Sequence, residues 1–252
     1  MVESLLITVT PILTYAADQL LTNATGFFFE RNGRLFLITS RHVVLDEPSQ
    51  HRPDRMEISL HSDPAITATV TQLSIPLYRE GEPLWRGAVD SGGVVDIAAV
   101  EIERSMVPDV SLISPFTPTH LVTEFDKIEV GTAVLIVGFP LGFHDTVNRL
   151  PVVRQAVVAS SFGIRFQGQG FFLTDARMHR GASGAPVVAR MTQERSGRGA
   201  LAWMLLGVHS ARMDVSNRDI TQDERLDLNC AWYADVLMTL TTEAESAKPT
   251  AK

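Results

Sequence analysis

The chain has 252 residues, enough for one large domain or two small ones sharing a core, and its 45% hydrophobic and 20% charged residues are ordinary for a globular protein. A formal charge of -7, a sequence pI near 5.5 and the lack of a Lys/Arg run exclude a general nucleic-acid binder, which needs a basic surface to neutralise phosphate. The single cysteine, Cys230, excludes an intrachain disulfide framework and points to a reducing compartment.

At the N-terminus, Leu5 to Ala16 is fairly apolar. Glu3 stands where a secretion signal carries a base, however, and Pro11 interrupts the run. The segment is read as mature chain and the protein as cytoplasmic. No segment has the uninterrupted apolar length needed to span a bilayer. Phe27 to Glu30 and Leu35 to Thr39 flank Asn32-Gly33, which predicts a tight hairpin because both central residues must accept positive φ. Directly after it, Ile38-Thr39-Ser40-Arg41-His42-Val43-Val44 sets a histidine behind a buried-looking strand; alone it reads as a structural histidine at least as well as a catalytic one. Strands are predicted at Met56 to Leu60, Ala65 to Leu73 and Ile97 to Ile102. Asp96 opens the last of these, where a carboxylate beside an apolar run needs a partner or solvent.

From Arg104 to Val130 the alternation lapses and Pro108, Pro115 and Pro118 accumulate, as expected of a connection between two β-barrels. Strands resume at Ala133 to Gly138, Val152 to Ala159, Phe171 to Thr174, Ala185 to Ala189 and Met204 to His209. This spacing leaves no room for crossover helices, so the class is all-β. Gly168-Gln169-Gly170 reads as a hairpin turn, and Cys230 as a buried small hydrophobe. The remaining histidines show no metal-ligand spacing. The apolar spacing from Trp232 to Leu240 predicts a C-terminal helix, and Glu243 to Lys252 a frayed tail.

The segment richest in chemistry is Arg180-Gly181-Ala182-Ser183-Gly184-Ala185-Pro186. Glycines on both sides allow the sharp turn that brings backbone N–H groups beside a hydroxyl, the arrangement that a tetrahedral oxyanion requires. A plain Gly-Ser loop reads the segment equally well on its own. Order decides: His42, Asp96 and Ser183 follow one another as in the chymotrypsin solution to nucleophilic catalysis. The α/β-hydrolase alternative fails, since Ala185 replaces its second glycine and no aspartate separates Ser183 from His209.

With these residues in place, the chain resembles the trypsin-like peptidases, and among them the bacterial, disulfide-free protease domain of HtrA-type proteins. Thr39-Ser40-Arg41-His42-Val43-Val44, Asp96-Ile97-Ala98, Val137 to Gly142, Thr174-Asp175-Ala176 with Arg180 to Gly184, and Leu206-Gly207-Val208 are similar to that family's motifs, spanning roughly Gly26 to Leu237. The resemblance implies two six-stranded antiparallel β-barrels and a C-terminal helix. It divides the chain into an N-terminal barrel at 1–110 with His42 and Asp96, a connection at 111–130, a C-terminal barrel at 131–230 with Ser183, a helix at 231–242 and a tail at 243–252. It implies a serine endopeptidase in which Ser183 attacks, His42 carries the proton and Asp96 orients the imidazole, with the Gly181 and Ser183 N–H groups as oxyanion hole. Ser210 and Ala211 would pair with an extended substrate, and Arg177 and Arg212 would favour an acidic residue on the acyl side of the cut; Arg177 reads at least as well as a residue that points to solvent or pairs with Asp175. No metal or organic cofactor is needed, and the expected partners are a protein or peptide substrate and an activating protein, with neither nucleic acid nor membrane.

Two departures stand out. Ala182 occupies the position where digestive enzymes carry the aspartate that locks the active site after zymogen cleavage. No PDZ domain is expected after the C-terminal helix. The alternative from another class is a catalytically silent or partner-gated module that keeps the fold and binds peptides.

Overall fold

The computed structural model describes residues 2–63, 68–191, 201–213 and 226–243, apart from the Arg212 side chain. Nine strands come first: β1 (Val9–Ala16), β2 (Gln19–Arg31), β3 (Arg34–Thr39), β4 (Arg55–His61), β5 (Val70–Pro76), β6 (Tyr78–Arg79), β7 (Glu82–Pro83), β8 (Trp85–Asp90) and β9 (Gly93–Ile102). Seven of them form an antiparallel sheet in the order β5-β4-β1-β2-β3-β9-β8, while β6 and β7 make a small ribbon. The sheet has one strand more than the six expected, and two of its members, β1 and the edge strand β8 that pairs with β9, lie outside the segments read as strands from the sequence. Ala65 to Thr67 of the expected fourth strand lie outside the described residues.

The Asn32-Gly33 hairpin forms as its chemistry dictates, with φ of 52° and 73° at the two residues. It sets β2 against β3, Phe27 opposite Ile38. After β3 a four-residue helix, α1 (Arg41–Val44), turns the chain.

The second sheet holds β10 (Ala133–Gly138), β11 (Val152–Val157), β12 (Phe171–Thr174), β13 (Pro186–Arg190), β14 (Trp203–Arg212) and β15 (Asn229–Tyr233). Its order is β11-β10-β13-β14-β15-β12. A bridge between Val158 and Thr174, with Ala159 N–H donating to Leu173 O at 2.8 Å, joins its two ends into a barrel. The expected helix from Trp232 is shorter. Trp232 is a strand residue opposite Phe171 and Val208, and helical turns begin only at Ala234, ending in α2 (Leu237–Leu240). Non-local pairing overrides the helical spacing there.

Each barrel has its own apolar core. Ile12, Phe28, Leu37, Met56 and Ile58 fill the first, and Ile136, Phe172, Val187, Leu206 and Ala231 the second. A third core joins them, with Phe27, Phe29 and Ile97 packed against Val137, Leu205 and Val208. Phe116, fully buried in the proline-rich connection, stacks edge-on against Phe27 at 5.7 Å and bonds to β2 through its backbone. Each such side chain contributes about 1.5–3 kcal/mol of burial, so the joint between the barrels is a packed interior. The site lies across that joint.

Candidate active site

His42 occupies the second position of α1, whose buried Val43 and Val44 anchor the turn while the imidazole stays half-buried. Asp96 lies in a bulge: Gly87 pairs with Ala98 and Ala88 with Val95, leaving Asp96 and Ile97 of β9 unopposed. A bulge re-aims a side chain. The Asp96 carboxylate accepts the His42 backbone N–H at 2.8 Å and lies 2.7 Å from Nδ1. This two-point contact fixes the ring. Burial works against the His42 cation, but the hydrogen bond and charge of Asp96, with Asp46 adding, outweigh it and raise the pKa above 6.5.

Ser210 supports the same carboxylate, its hydroxyl donating to Asp96 Oδ2. It too sits in an irregularity, since His209 pairs with Ala231 and Arg212 with Asn229, so that Ser210 and Ala211 together oppose a single residue of β15. Ala211 is exposed at the rim. The Arg212 backbone closes the bulge, and its side chain lies outside the described residues.

Ser183 lies within a turn in which Gly181 and Gly184 take φ of 89° and 87°. A Cβ on Gly184 would come within 2.2 Å of Thr25 O, and one on Gly181 within 2.6 Å of Phe139 O. Neither position tolerates a side chain. The N–H groups of Gly181 and Ser183 donate to no acceptor among the described residues. Two such donors beside a hydroxyl can receive an oxyanion. The Ser183 hydroxyl itself donates to Ser210 O at 3.1 Å. Ala182 is fully buried, with no charge to lock the turn.

Two depressions meet at the nucleophile. One, ≈ 370 Å³, is lined by Met178, His179, His209, Ser210 and Asn229 together with Ser183. The other, ≈ 790 Å³, runs past Leu20, Asn23, Asp46 and Gly181. His42, Arg180 and Ser183 line both, so the cleft is continuous across the reacting atoms.

Arg177 does not line that cleft. Along the loop after β12, Ala176 and Met178 are buried while Asp175 and Arg177 face solvent, which spares the guanidinium an uncompensated desolvation. Asp175 instead accepts the Val157 N–H at 2.7 Å. A buried ionisable group that lines the smaller depression is His209, which the sequence reading set aside with the other histidines. It is 3% exposed, its Nδ1 has no partner among the described residues, and burial, then the neighbouring His42, lowers its pKa to about 4. Its place immediately before Ser210 was the available signal. Cys230 is buried, and burial followed by the charge of Asp96 pushes its thiol up to about 11. A thiol so held is inert. Among the described residues no cluster of His, Cys, Asp and Glu could hold a metal.

Two solved structures share the fold. The serine endoprotease from Yersinia pestis aligns with a TM-score of 0.55 at 15% identity, over 93% of this chain and 61% of that one. The Rv3671c protease from M. tuberculosis, active form, aligns with a TM-score of 0.51 at 16% identity, over 98% and 85%. This chain thus spans less than two thirds of the Yersinia protein, and at these identities the likeness concerns the fold. No curated protein matches the sequence. The model of the trypsin-like peptidase domain matches residues 24–194, a stretch that contains His42, Asp96 and Ser183, and on that match the chain belongs to the trypsin-like peptidase domain family.

Proposed function

We propose that the protein is a serine endopeptidase that hydrolyses peptide bonds through an acyl-enzyme on Ser183. The observation that carries this reading is the 2.7 Å contact of His42 Nδ1 with Asp96, beside a serine flanked by two unengaged backbone donors. Ser183 Oγ attacks the scissile carbonyl carbon while His42 Nε2 takes its proton, and the Gly181 and Ser183 N–H groups hold the oxyanion. The C–N bond then breaks as His42 returns the proton to the leaving amine. Water, activated by the same imidazole, releases the acid product and regenerates Ser183. Asp96 keeps the Nδ1 proton in place and offsets the imidazolium charge.

The partner-gated module remains the second reading because the Ser183 hydroxyl rests on Ser210 O and makes no hydrogen bond to His42 among the described residues. An extended substrate pairing with the Ser210 backbone competes for that carbonyl and frees the hydroxyl. A cytoplasmic location belongs to the same proposal, supported by the unpaired Cys230.

The cleft is proposed to favour Asp or Glu on the acyl side of the cut. His209, neutral and with no partner for its Nδ1 among the described residues, would meet the substrate carboxylate in place of Arg177. A charge-assisted hydrogen bond of about 1.5–3 kcal/mol corresponds to roughly ten- to a hundredfold preference. A peptide library digested with wild type, Ser183→Ala and Arg177→Ala, the new termini read by mass spectrometry, tests both statements. Cleavage after acidic residues is expected with wild type and Arg177→Ala, and none with Ser183→Ala. Equal cleavage after acidic and apolar residues contradicts the preference, and new termini with Ser183→Ala contradict the mechanism.

A further inference from the structure

Among the described residues the serine turn makes no ion pair, and its hydrogen bonds show what holds it. In a trans peptide the N–H and C=O point in opposite directions, so whatever grips a carbonyl aims the N–H of the same unit. The two oxyanion donors belong to the Arg180–Gly181 and Ala182–Ser183 units. Leu141 N–H holds Arg180 O at 2.5 Å, and Ala185 N–H holds Ala182 O at 2.9 Å. The alternate carbonyls both go to one residue of the other barrel: Thr25 Oγ1 donates to Gly181 O at 2.7 Å, and Thr25 N–H to Ser183 O at 3.0 Å.

The Thr25 hydroxyl does more than satisfy Gly181. It also accepts the Phe139 N–H at 3.0 Å, which joins the segment carrying Leu141 to the segment carrying the nucleophile. Thr25 O in turn accepts the Thr39 hydroxyl at 2.9 Å, so every polar atom of the residue is engaged. The residue is fully buried and the site has no slack, since a Cβ on Gly138 would come within 2.7 Å of Thr25 Oγ1.

We propose that Thr25 is the positioning residue of the oxyanion hole, its neutral hydroxyl fastening the Gly181 turn to the Phe139–Leu141 segment where an acidic residue at position 182 would supply a charged lock. The inference rests on the acyl-enzyme reading and adds to it the source of the turn's rigidity. Loss of the hydroxyl frees the Gly181 carbonyl and loosens both donor-bearing peptides. The damage falls on the tetrahedral state, because only there does charge develop at the hole.

The test compares Thr25→Val, which keeps the shape and removes the hydroxyl, with Thr25→Ser, which keeps the hydroxyl. For each, kcat, KM, the inhibition constant of a peptide aldehyde and the thermal midpoint are measured, and labelling of wild-type Ser183 by a fluorophosphonate serves as control. In Thr25→Val, kcat is expected to fall about 100-fold with KM within about twofold, as for removal of an oxyanion donor. The aldehyde, whose hemiacetal oxygen occupies the hole, should weaken by a similar factor, and Thr25→Ser should recover kcat to within about threefold. Wild-type kcat in Thr25→Val, a loss carried by KM alone, or unchanged aldehyde affinity overturns the proposal. So does a tenfold or greater loss in Thr25→Ser, which decides the matter even if Thr25→Val does not fold. A labelled wild type with an unaffected Thr25→Val sinks the clamp alone, whereas an unlabelled, inactive wild type sinks the acyl-enzyme reading and the clamp with it.

Discussion

The Ser183 hydroxyl donates to the backbone carbonyl of Ser210 at 3.1 Å and makes no hydrogen bond to the His42 ring among the described residues. That single, partly solvated bond is the only one the side chain makes among the described residues, so Ser183→Ala removes little folding energy. Turnover is expected to vanish in Ser183→Ala with the thermal midpoint within a degree or two of wild type. Adding His42→Ala should cost almost nothing more in rate, because nucleophile and base act as a unit. A double variant much slower than the single one would contradict the shared role.

Activity should rise with pH on an acid limb set by His42. The imidazole acts as base only when neutral, and Asp96 raises its pKa above 6.5 against the opposing effect of burial. The midpoint of kcat/KM is therefore expected above 6.5. In Asp96→Asn the rate should fall about 10⁴-fold as the wrong tautomer is favoured. The limb should move to lower pH, since burial is then opposed only by the charge of Asp46. A limb at or above the wild-type value in Asp96→Asn excludes Asp96 as the partner that stabilises the cation.

The fold should lose stability on mild acidification through His209. Its pKa is near 4 in the folded protein and 6.5 when unconstrained, so between those values the unfolded chain binds the proton and the native state does not. Stability is unaffected above pH 6.5, falls as the pH drops towards 4, and then levels, with a limiting slope of roughly 1.4 kcal/mol per pH unit from this group. His42 acts with the opposite sign, its raised pKa adding stability that is full below 6.5 and lost as the pH rises through the folded value. Denaturant melts across this range should show the fall in wild type and a shallower one in His209→Gln. Equal slopes would remove His209 as the cause.

Local chemistry made much of the architecture legible. Asn32-Gly33 specifies its hairpin through backbone sterics alone, and β10 and β12 fall where the apolar runs placed them. What escaped depends on distant partners. The strand Val9–Ala16 was hidden by Pro11, which argues against a strand interior but lies just outside the stretch, Ile12 to Tyr15, paired with β4. Trp232 carries helical spacing yet is drawn into a strand by Phe171 and Val208. His42, Asp96 and Ser183 could be named as candidates because each sits in a local motif, whereas the direction of Arg177 turns on an alternation within one loop that no spacing rule fixes. Thr25 had no local signal, since the groups its hydroxyl joins lie 114 and 156 residues away.

The claim that Ser183 is a nucleophile activated by His42 is tested most directly by covalent labelling with a fluorophosphonate between about pH 6 and 9, the modified residue being located by mass spectrometry. One equivalent on Ser183 is expected, faster as His42 loses its proton and absent in both Ser183→Ala and His42→Ala. No labelling of the wild type at any pH in that range, or labelling that persists in Ser183→Ala, would contradict the account.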